Sequence, residues 1–227
     1  MVLQLIGHYD SPFVRRVGIT LHVLGMPFER QLLSVFGNAA ELQAYSPIGR
    51  VPVLVLDDGE ALIESAAILD YLEDVAGQDR ALLPARGMER RAALQLMAFA
   101  TGASDKAIAI VYEHRRAAAK VDDEWVARCR GQLERALNEI ERRLAHAVAS
   151  DPLKQPGMTI ATMAGYLRLR VAGAVPPGRY PRLEALSLAA EAEPAYAACL
   201  PTLMEIGGSV EQAQAALLRL RCQPRPA

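Results

Sequence analysis

Short apolar runs alternate with amphipathic stretches along the first part of the chain. Runs rich in aliphatic and β-branched residues predict strands, and apolar positions spaced by three and four predict helices. The predicted order is βαβαββα, with strands at residues 2–6, 28–33, 53–56 and 61–63 and helices at 11–24, 38–44 and 65–75. The apolar side chains share one face of each long helix, as expected for helices that pack on a small sheet.

Beyond this region the pattern is helical and predicts no further strand. A polar passage at 77–87, rich in glycine and proline, separates the two kinds of pattern. We therefore expect an α/β domain at 1–80, an all-α domain at 86–222 and a loose tail at 223–227.

The second domain contains one strong helical period and several weaker ones. A predicted helix at 88–118 has an apolar stripe interrupted by small and polar groups, which is typical of an interface, of loose packing or of a cleft wall. Thr159 is the expected N-cap of a helix through residue 171, and another helix at 180–200 is expected to break at Pro194. The strong period comprises Val126, Cys129, Leu133, Leu137, Ile140, Leu144 and Val148.

Composition and charge exclude several classes of partner. The chain has 227 residues, 52% of them hydrophobic, which is enough for a substantial core. Its formal net charge of -1 disfavours nucleic acid and anionic membrane as partners. The apolar run after Met1 is too short for a signal peptide, and no stretch offers the roughly twenty uncharged apolar residues of a membrane helix. We expect a cytoplasmic protein.

The cysteines and histidines predict no metal site and no disulfide scaffold. Cys129, Cys199 and Cys222 are odd in number, widely separated and without a Cys-x-x-Cys pair. The four histidines lack the spacing of metal ligands. We expect buried or idle thiols and no bound metal.

Two dipeptides predict a site for a peptide-like ligand. Pro52 precedes a buried strand, where a cis Val51-Pro52 bond would avoid the loss of a strand hydrogen bond and leave backbone groups of Val51 open to an extended ligand. Glu64-Ser65 opens an apolar helix, with Ser65 and the helix N-terminus placed for a carboxylate and Glu64 for an ammonium group. The head group of an amino acid carries both a carboxylate and an ammonium group. A simple proline turn and an ordinary helix cap are the alternatives.

Several motifs in this order resemble the glutathione S-transferase family. In the first domain these are Ser-Pro-Phe-Val-Arg-Arg-Val at 11–17, Ser-Pro-Ile-Gly-Arg-Val-Pro-Val-Leu at 46–54 and Ile-Glu-Ser at 63–65. In the second they are Met-Thr-Ile-Ala at 158–161, which resembles a capping motif, and the segments 180–183 and 194–196. The resemblance implies a thioredoxin-like domain followed by a helical domain. Two positions depart from the family pattern, Ser46 in place of Asn and Thr162 in place of Asp, and they bear on stability.

The resemblance also implies glutathione as a substrate, with its cysteine backbone on Val51 and Pro52 and its γ-glutamyl head on Glu64 and Ser65. Catalysis requires the thiolate, whereas a free thiol with a pKa of about 8.5 is mostly protonated at neutral pH. Ser11, at the start of the first helix, is the expected thiolate donor. Its alternative role is a plain N-cap, and Tyr9 is the alternative donor.

Further roles follow from the same resemblance. Asn38 or Arg50 is expected to hold the glycine carboxylate, and Asp105 to reach the ammonium group from the neighbouring subunit of a homodimer. Phe13 and Tyr112 are expected to wall the pocket of the second substrate, and Phe13 is also expected to contact glutathione. Ordinary exposed or packing roles are the alternatives for each residue.

The main hypothesis is a detoxifying transferase that adds the glutathione thiolate to a small apolar electrophile or uses glutathione to reduce a peroxide. A serine rather than a cysteine at position 11 disfavours mixed-disulfide chemistry. A non-enzymatic adaptor protein with the same fold and a glutathione-dependent isomerase are the alternatives.

Overall fold

The computed structural model describes residues 2–145 and 151–220. Its first part is a four-stranded sheet with three helices, in the predicted order βαβαββα. The elements are β1 Leu3–Ile6, α1 Pro12–Val23, β2 Phe28–Gln31, α2 Ala39–Gln43, β3 Val53–Val55, β4 Ala61–Ile63 and α3 Ser65–Ala76.

The sheet has the strand order β2-β1-β3-β4. Strand β1 pairs in parallel with β2, with Leu5 opposite Arg30, and antiparallel with β3, with Leu5 opposite Leu54. Strands β3 and β4 form an antiparallel hairpin. This mixed sheet, followed by helices alone, confirms the predicted fold class.

Helix α1 is buried on nearly all sides. It packs against α3 and also against α6 Gln155–Arg170 and α8 Pro194–Ala198 of the second part. Its apolar residues Val14, Val17 and Leu21 are fully buried, as the sequence pattern predicts. Burial of each such side chain contributes about 1.5 to 3 kcal/mol, so α1 is held firmly between the sheet and the helices.

Gly7 allows the close approach of three elements at the start of α1. Its φ of 129° lies in a region that favours glycine, and a Cβ added here would meet Val14 at 2.7 Å and Val51 at 3.0 Å. The end of β1, the first turn of α1 and the loop before β3 therefore meet at this point.

The second part contains only helices among the described residues. Helices α4, α5 and α6 form its core, and the predicted residues Val126 to Leu144 of the strong period are buried. Val148, the last residue of that period, lies outside the described residues, as do Cys222, His146 and the tail at 223–227. The helices are α4 Gly87–Glu113, α5 Asp123–Arg143, α6 Gln155–Arg170, α7 Pro181–Glu191, α8 Pro194–Ala198, α9 Leu203–Ile206 and α10 Val210–Leu220.

The two parts share buried contacts across their boundary. Met158 and Tyr196 belong to the same apolar cluster as Leu5, Val17 and Ile68. The proposed division at residues 80 and 86 stays a prediction, and it separates types of secondary structure rather than independent cores.

One helix prediction in the second part is wrong, and two helices were not predicted. Thr159 is not an N-cap, because α6 begins four residues earlier at Gln155 and the Thr159 hydroxyl donates to the Gln155 carbonyl at 2.8 Å. Pro156 in the first turn is the local signal for this earlier start. The predicted helix at 180–200 is two helices, separated before Pro194 as expected, and α9 and α10 follow without having been predicted.

Helix α4 is an exception to the expectation that no segment suits a membrane span. By length and composition this helix qualifies, with a mean hydropathy of 1.2 over 18 residues. It packs against α5 and α6, and 39% of that window is buried inside the molecule.

Candidate active site

An open cleft of about 1010 Å³ lies between the sheet and the helical part. One wall is formed by the start of α1 and by the loops before α2 and β3. The opposite wall is formed by α4, α6, α9 and α10. Six predicted site residues line this cleft, namely Ser11, Phe13, Arg50, Val51, Asp105 and Tyr112.

Ser11 caps α1 and faces the cleft. Its hydroxyl oxygen accepts a long hydrogen bond of 3.4 Å from the Val14 backbone N–H, and Pro12 occupies the first turn. The hydroxyl hydrogen has no acceptor among the described residues. Ser11 therefore combines the N-cap role with a free donor at the positive end of a helix dipole.

Val51 offers its backbone to the same cleft. The Val51-Pro52 bond is cis, as predicted. Neither the N–H nor the carbonyl of Val51 bonds to a described residue, whereas Val53 pairs with Ile6 and Ile63. An extended ligand can therefore pair with Val51 in the manner of a neighbouring strand.

Glu64 and Ser65 lie beside the cleft rather than in its lining. Glu64 has a φ of 67° and a ψ of 117°, which a residue with a side chain rarely adopts. Such a conformation costs on the order of 1 to 3 kcal/mol and is typical of functional positions. Its carboxylate is half-exposed and lies 3.1 Å from the Arg50 guanidinium.

A buried arginine holds Ser65. Arg16 Nη2 donates to the Ser65 hydroxyl oxygen at 2.6 Å, and its Nη1 donates to Thr159 at 3.3 Å. Burial lowers the pKa of Arg16 to about 10, against the opposing effect of Glu64 and Asp105, so Arg16 remains a cation at neutral pH. Ser65 keeps its own hydrogen free for an acceptor.

Arg50 and Asp105 face each other across the cleft. Their charged groups are 4.0 Å apart, and both side chains are about half-exposed. Burial raises the pKa of Asp105, and the Arg50 charge opposes that shift. Asp105 thus reaches the cleft of its own chain, which the sequence-based expectation of a role in the neighbouring subunit did not include.

Tyr9 does not reach the cleft. Only 1% of it is exposed, its ring lies under the Arg30 guanidinium at 3.5 Å, and its hydroxyl occupies the space above Gly18. Burial raises the pKa of Tyr9, and the buried Cys199 thiol beside it adds to that shift. Tyr9 therefore lies outside the cleft lining, whereas Ser11, the other candidate donor, lies in it.

Asn38 is also turned away from the cleft lining. Its side-chain oxygen accepts from the Ser34 backbone N–H at 3.2 Å and so shapes the loop before α2. Of the two expected ligands for a glycine carboxylate, the structure brings only Arg50 to the cleft.

The sequence reasoning missed several polar residues of the cleft. Arg170 pairs with Asp10 at 2.5 Å, and Tyr166 contributes a hydroxyl whose pKa is raised by burial. Glu205 accepts from the Tyr9 backbone N–H at 2.8 Å and from Arg30 at 2.6 Å. These partners are far apart in sequence, and no local pattern marks them.

No group of three or more histidine, cysteine, aspartate or glutamate side chains suited to a metal ion occurs within residues 2–145 and 151–220.

The sheet topology, the helix-capping serine and the cis-proline loop before β3 define a thioredoxin-like domain, and comparison with known proteins agrees. The family model for the glutathione S-transferase N-terminal domain matches residues 5–80. An uncharacterised GST-like protein of Escherichia coli, YibF, is 31% identical over 169 residues, which is 74% of this chain and 83% of YibF. The chain belongs to the glutathione S-transferase family.

Solved structures of bacterial relatives show the same fold. A glutathione S-transferase from Methylobacterium radiotolerans, in complex with glutathione sulfonate, has a TM-score of 0.82 and 30% identity, covering 88% of this chain and 95% of its own. A family member from Pseudomonas fluorescens with bound glutathione has a TM-score of 0.77 and 30% identity, covering 88% of this chain and 99% of its own.

Proposed function

We propose that this protein is a glutathione transferase that ionises the glutathione thiol and adds it to a small apolar electrophile. The observation that carries the proposal is the meeting of the Ser11 hydroxyl, the α1 N-terminus and the unpaired Val51 backbone in one cleft. The glutathione sulfonate and the glutathione bound in two related structures support glutathione as the ligand.

The proposed binding mode uses each part of the tripeptide. The cysteine residue pairs with the Val51 backbone as an added strand, next to Pro52. The γ-glutamyl carboxylate accepts from Ser65 and the first turn of α3, and its ammonium group meets Glu64, with Asp105 as a second carboxylate. Arg50 binds the glycine carboxylate.

The stabilisation that Ser11 and the α1 N-terminus can give a thiolate is as large as the free energy needed to ionise the thiol at neutral pH. Lowering a thiol pKa by two units requires about 2.7 kcal/mol. A favourably placed helix N-terminus contributes up to about 2 kcal/mol, and a hydrogen bond to a charged acceptor about 1.5 to 3 kcal/mol. The Ser11 hydroxyl and α1 together are therefore sufficient, without a second donor.

In the proposed reaction the thiolate sulfur forms a bond to the electrophilic carbon. The leaving group departs with the electron pair of the broken bond, or, in an addition, the electron pair moves to the acceptor and is protonated. Phe13 and Tyr112 would bound the apolar part of the second substrate.

Calorimetric titration with reduced glutathione tests the binding step. Saturable binding at millimolar concentration or below is expected, and its absence would remove the proposal. Turnover with an aryl halide, an organic hydroperoxide and a maleyl-type cis isomer then separates conjugation, peroxide reduction and isomerisation. Glutathione binding with no turnover on any of them would favour the adaptor reading.

We further propose a cytoplasmic homodimer with a role in detoxification. Exposed apolar side chains on α4 support a second copy of the chain as its partner, since Met88 is 76% and Leu94 43% exposed. Light scattering after size-exclusion chromatography should give twice the chain mass, and a monomer would contradict the proposal.

A further inference from the structure

The cleft contains two cations that its own carboxylates do not neutralise. Asp10 pairs with Arg170, Glu205 with Arg30, and Asp105 faces Arg50. The other two arginines in the cleft lining, Arg115 and Arg219, have no carboxylate within 4.0 Å among the described residues.

Arg115 is exposed and packs against an aromatic ring of the cleft. Its guanidinium carbon lies 3.8 Å from the centre of the Phe36 ring, and Phe36 in turn packs edge-on against Tyr112 with ring centres 5.2 Å apart. A guanidinium group carries its N–H groups in one plane, where they form paired hydrogen bonds with a carboxylate. No described residue accepts from these N–H groups.

The cluster of Phe36, Tyr112 and Arg115 joins the two walls of the cleft. Phe36 belongs to the loop before α2, whereas Tyr112 and Arg115 lie at the end of α4 and just beyond it. Phe36 and Tyr112 are about half-exposed, so both rings are accessible to a ligand in the cleft.

Apolar side chains lie next to this cationic group. Ile108 and Val111 of α4, Leu169 of α6 and Ile206 of α9 line the same cleft. Arg219 enters from α10, with its Nε donating to the Arg168 carbonyl at 3.3 Å. The cleft therefore offers an apolar surface bordered by unneutralised positive charge.

We propose that the second substrate is an amphipathic anion, with an apolar or aromatic body and a carboxylate that Arg115 and Arg219 bind. This inference rests on the proposed function and refines it, because a purely apolar electrophile would leave both charges without a partner. Arg115 is the main specificity-determining residue and Arg219 the second.

Two matched glutathione conjugates test the inference by calorimetry. S-(4-carboxybenzyl)glutathione and S-(4-carbamoylbenzyl)glutathione have the same shape and differ only in the charge of the terminal group. The wild-type protein should bind the carboxylate about tenfold more tightly, as expected for hydrogen bonds to a charged group. Added salt should reduce the difference.

Variants test which arginines produce the preference for the carboxylate conjugate. Arg115→Gln should lose most of it, and Arg115→Gln combined with Arg219→Gln should lose all of it. Arg116 is the next residue in sequence but lies outside the cleft lining. Arg116→Gln removes the same charge and should keep the preference for the carboxylate. Circular dichroism verifies that each variant is folded.

The outcomes separate the two levels of the proposal. Equal wild-type affinity for both conjugates, or a preference that survives in the double variant, overturns the inference while the transferase function stands. Failure of the wild-type protein to bind either conjugate or glutathione overturns both.

Discussion

Glu205 provides a direct test of how the C-terminal helices are fixed to the sheet. One carboxylate oxygen accepts from the Tyr9 backbone N–H at 2.8 Å and from Arg30 at 2.6 Å, and the other accepts from the Thr202 backbone N–H at 2.7 Å. The side chain is fully buried, whereas that of Arg30 is 25% exposed. Glu205→Gln removes the charge and turns one acceptor into a donor.

The structure sets the expected loss of stability. Removing one partner of a fully buried ion pair costs about 3 to 5 kcal/mol. Water screens the Arg30 charge that remains, and glutamine keeps one acceptor, so we expect Glu205→Gln to lower the free energy of unfolding by about 2 kcal/mol. Urea denaturation followed by circular dichroism measures the change.

The pH dependence of this loss follows from the ionisation of Glu205. Burial opposes its charge, but bonds from Thr202, Tyr9 and Arg30 outweigh burial and hold its pKa below the ordinary value of 4.5. A lowered pKa in the folded state contributes stability above pH 4.5 that is lost as the pH falls through the folded value. The difference between wild type and variant should therefore shrink in acid.

Glu29→Gln is the matched control, since Glu29 is exposed on β2 next to Arg30 and forms no ion pair with a described residue. A change below about 0.5 kcal/mol is expected there, as for most surface substitutions. An equal loss in both variants, or no loss in Glu205→Gln, would refute the role assigned to Glu205.

Two further predictions concern the buried arginines of α1. Arg16→Met should weaken glutathione binding by roughly three- to tenfold in calorimetry, because Ser65 loses the donor that orients it; unchanged affinity would contradict that role. Arg15→Lys should lower the free energy of unfolding by about 2 to 4 kcal/mol, since lysine cannot replace the paired bonds to Glu191. Arg128→Lys on the exposed face of α5 should have little effect, and an equal loss there would refute the assignment.

The sequence was sufficient for elements that are defined by local periodicity. The strands and helices of the first part lie within about two residues of their predicted bounds, because aliphatic runs and apolar spacing specify them directly. The motif at Val51-Pro52 and the cap at Ser11 are local signals as well. Short helices such as α9, enclosed by Pro201 and Gly207, have too little length for a period to be visible.

The missed features depend on contacts between distant residues. Arg15 and Arg16 are charged residues of the motif at 11–17, yet both are buried because α1 is covered by α6 and α8 as well as by the sheet. Tyr9 looks like a cleft residue, yet the space above Gly18 accommodates its ring inside the core. Neither outcome can be derived before the packing of the helical part on α1 is known.

The pKa of the glutathione thiol in the bound state tests the central claim most directly. Ultraviolet thiolate absorbance against pH, at saturating glutathione, should give a wild-type pKa about two units below that of the free thiol. Ser11→Ala should raise that pKa, and Ser11→Thr, which keeps the hydroxyl and the cap, should leave it close to the wild-type value. A bound thiol that titrates like free glutathione in the wild-type protein would contradict the assignment of Ser11 and α1 to thiolate stabilisation.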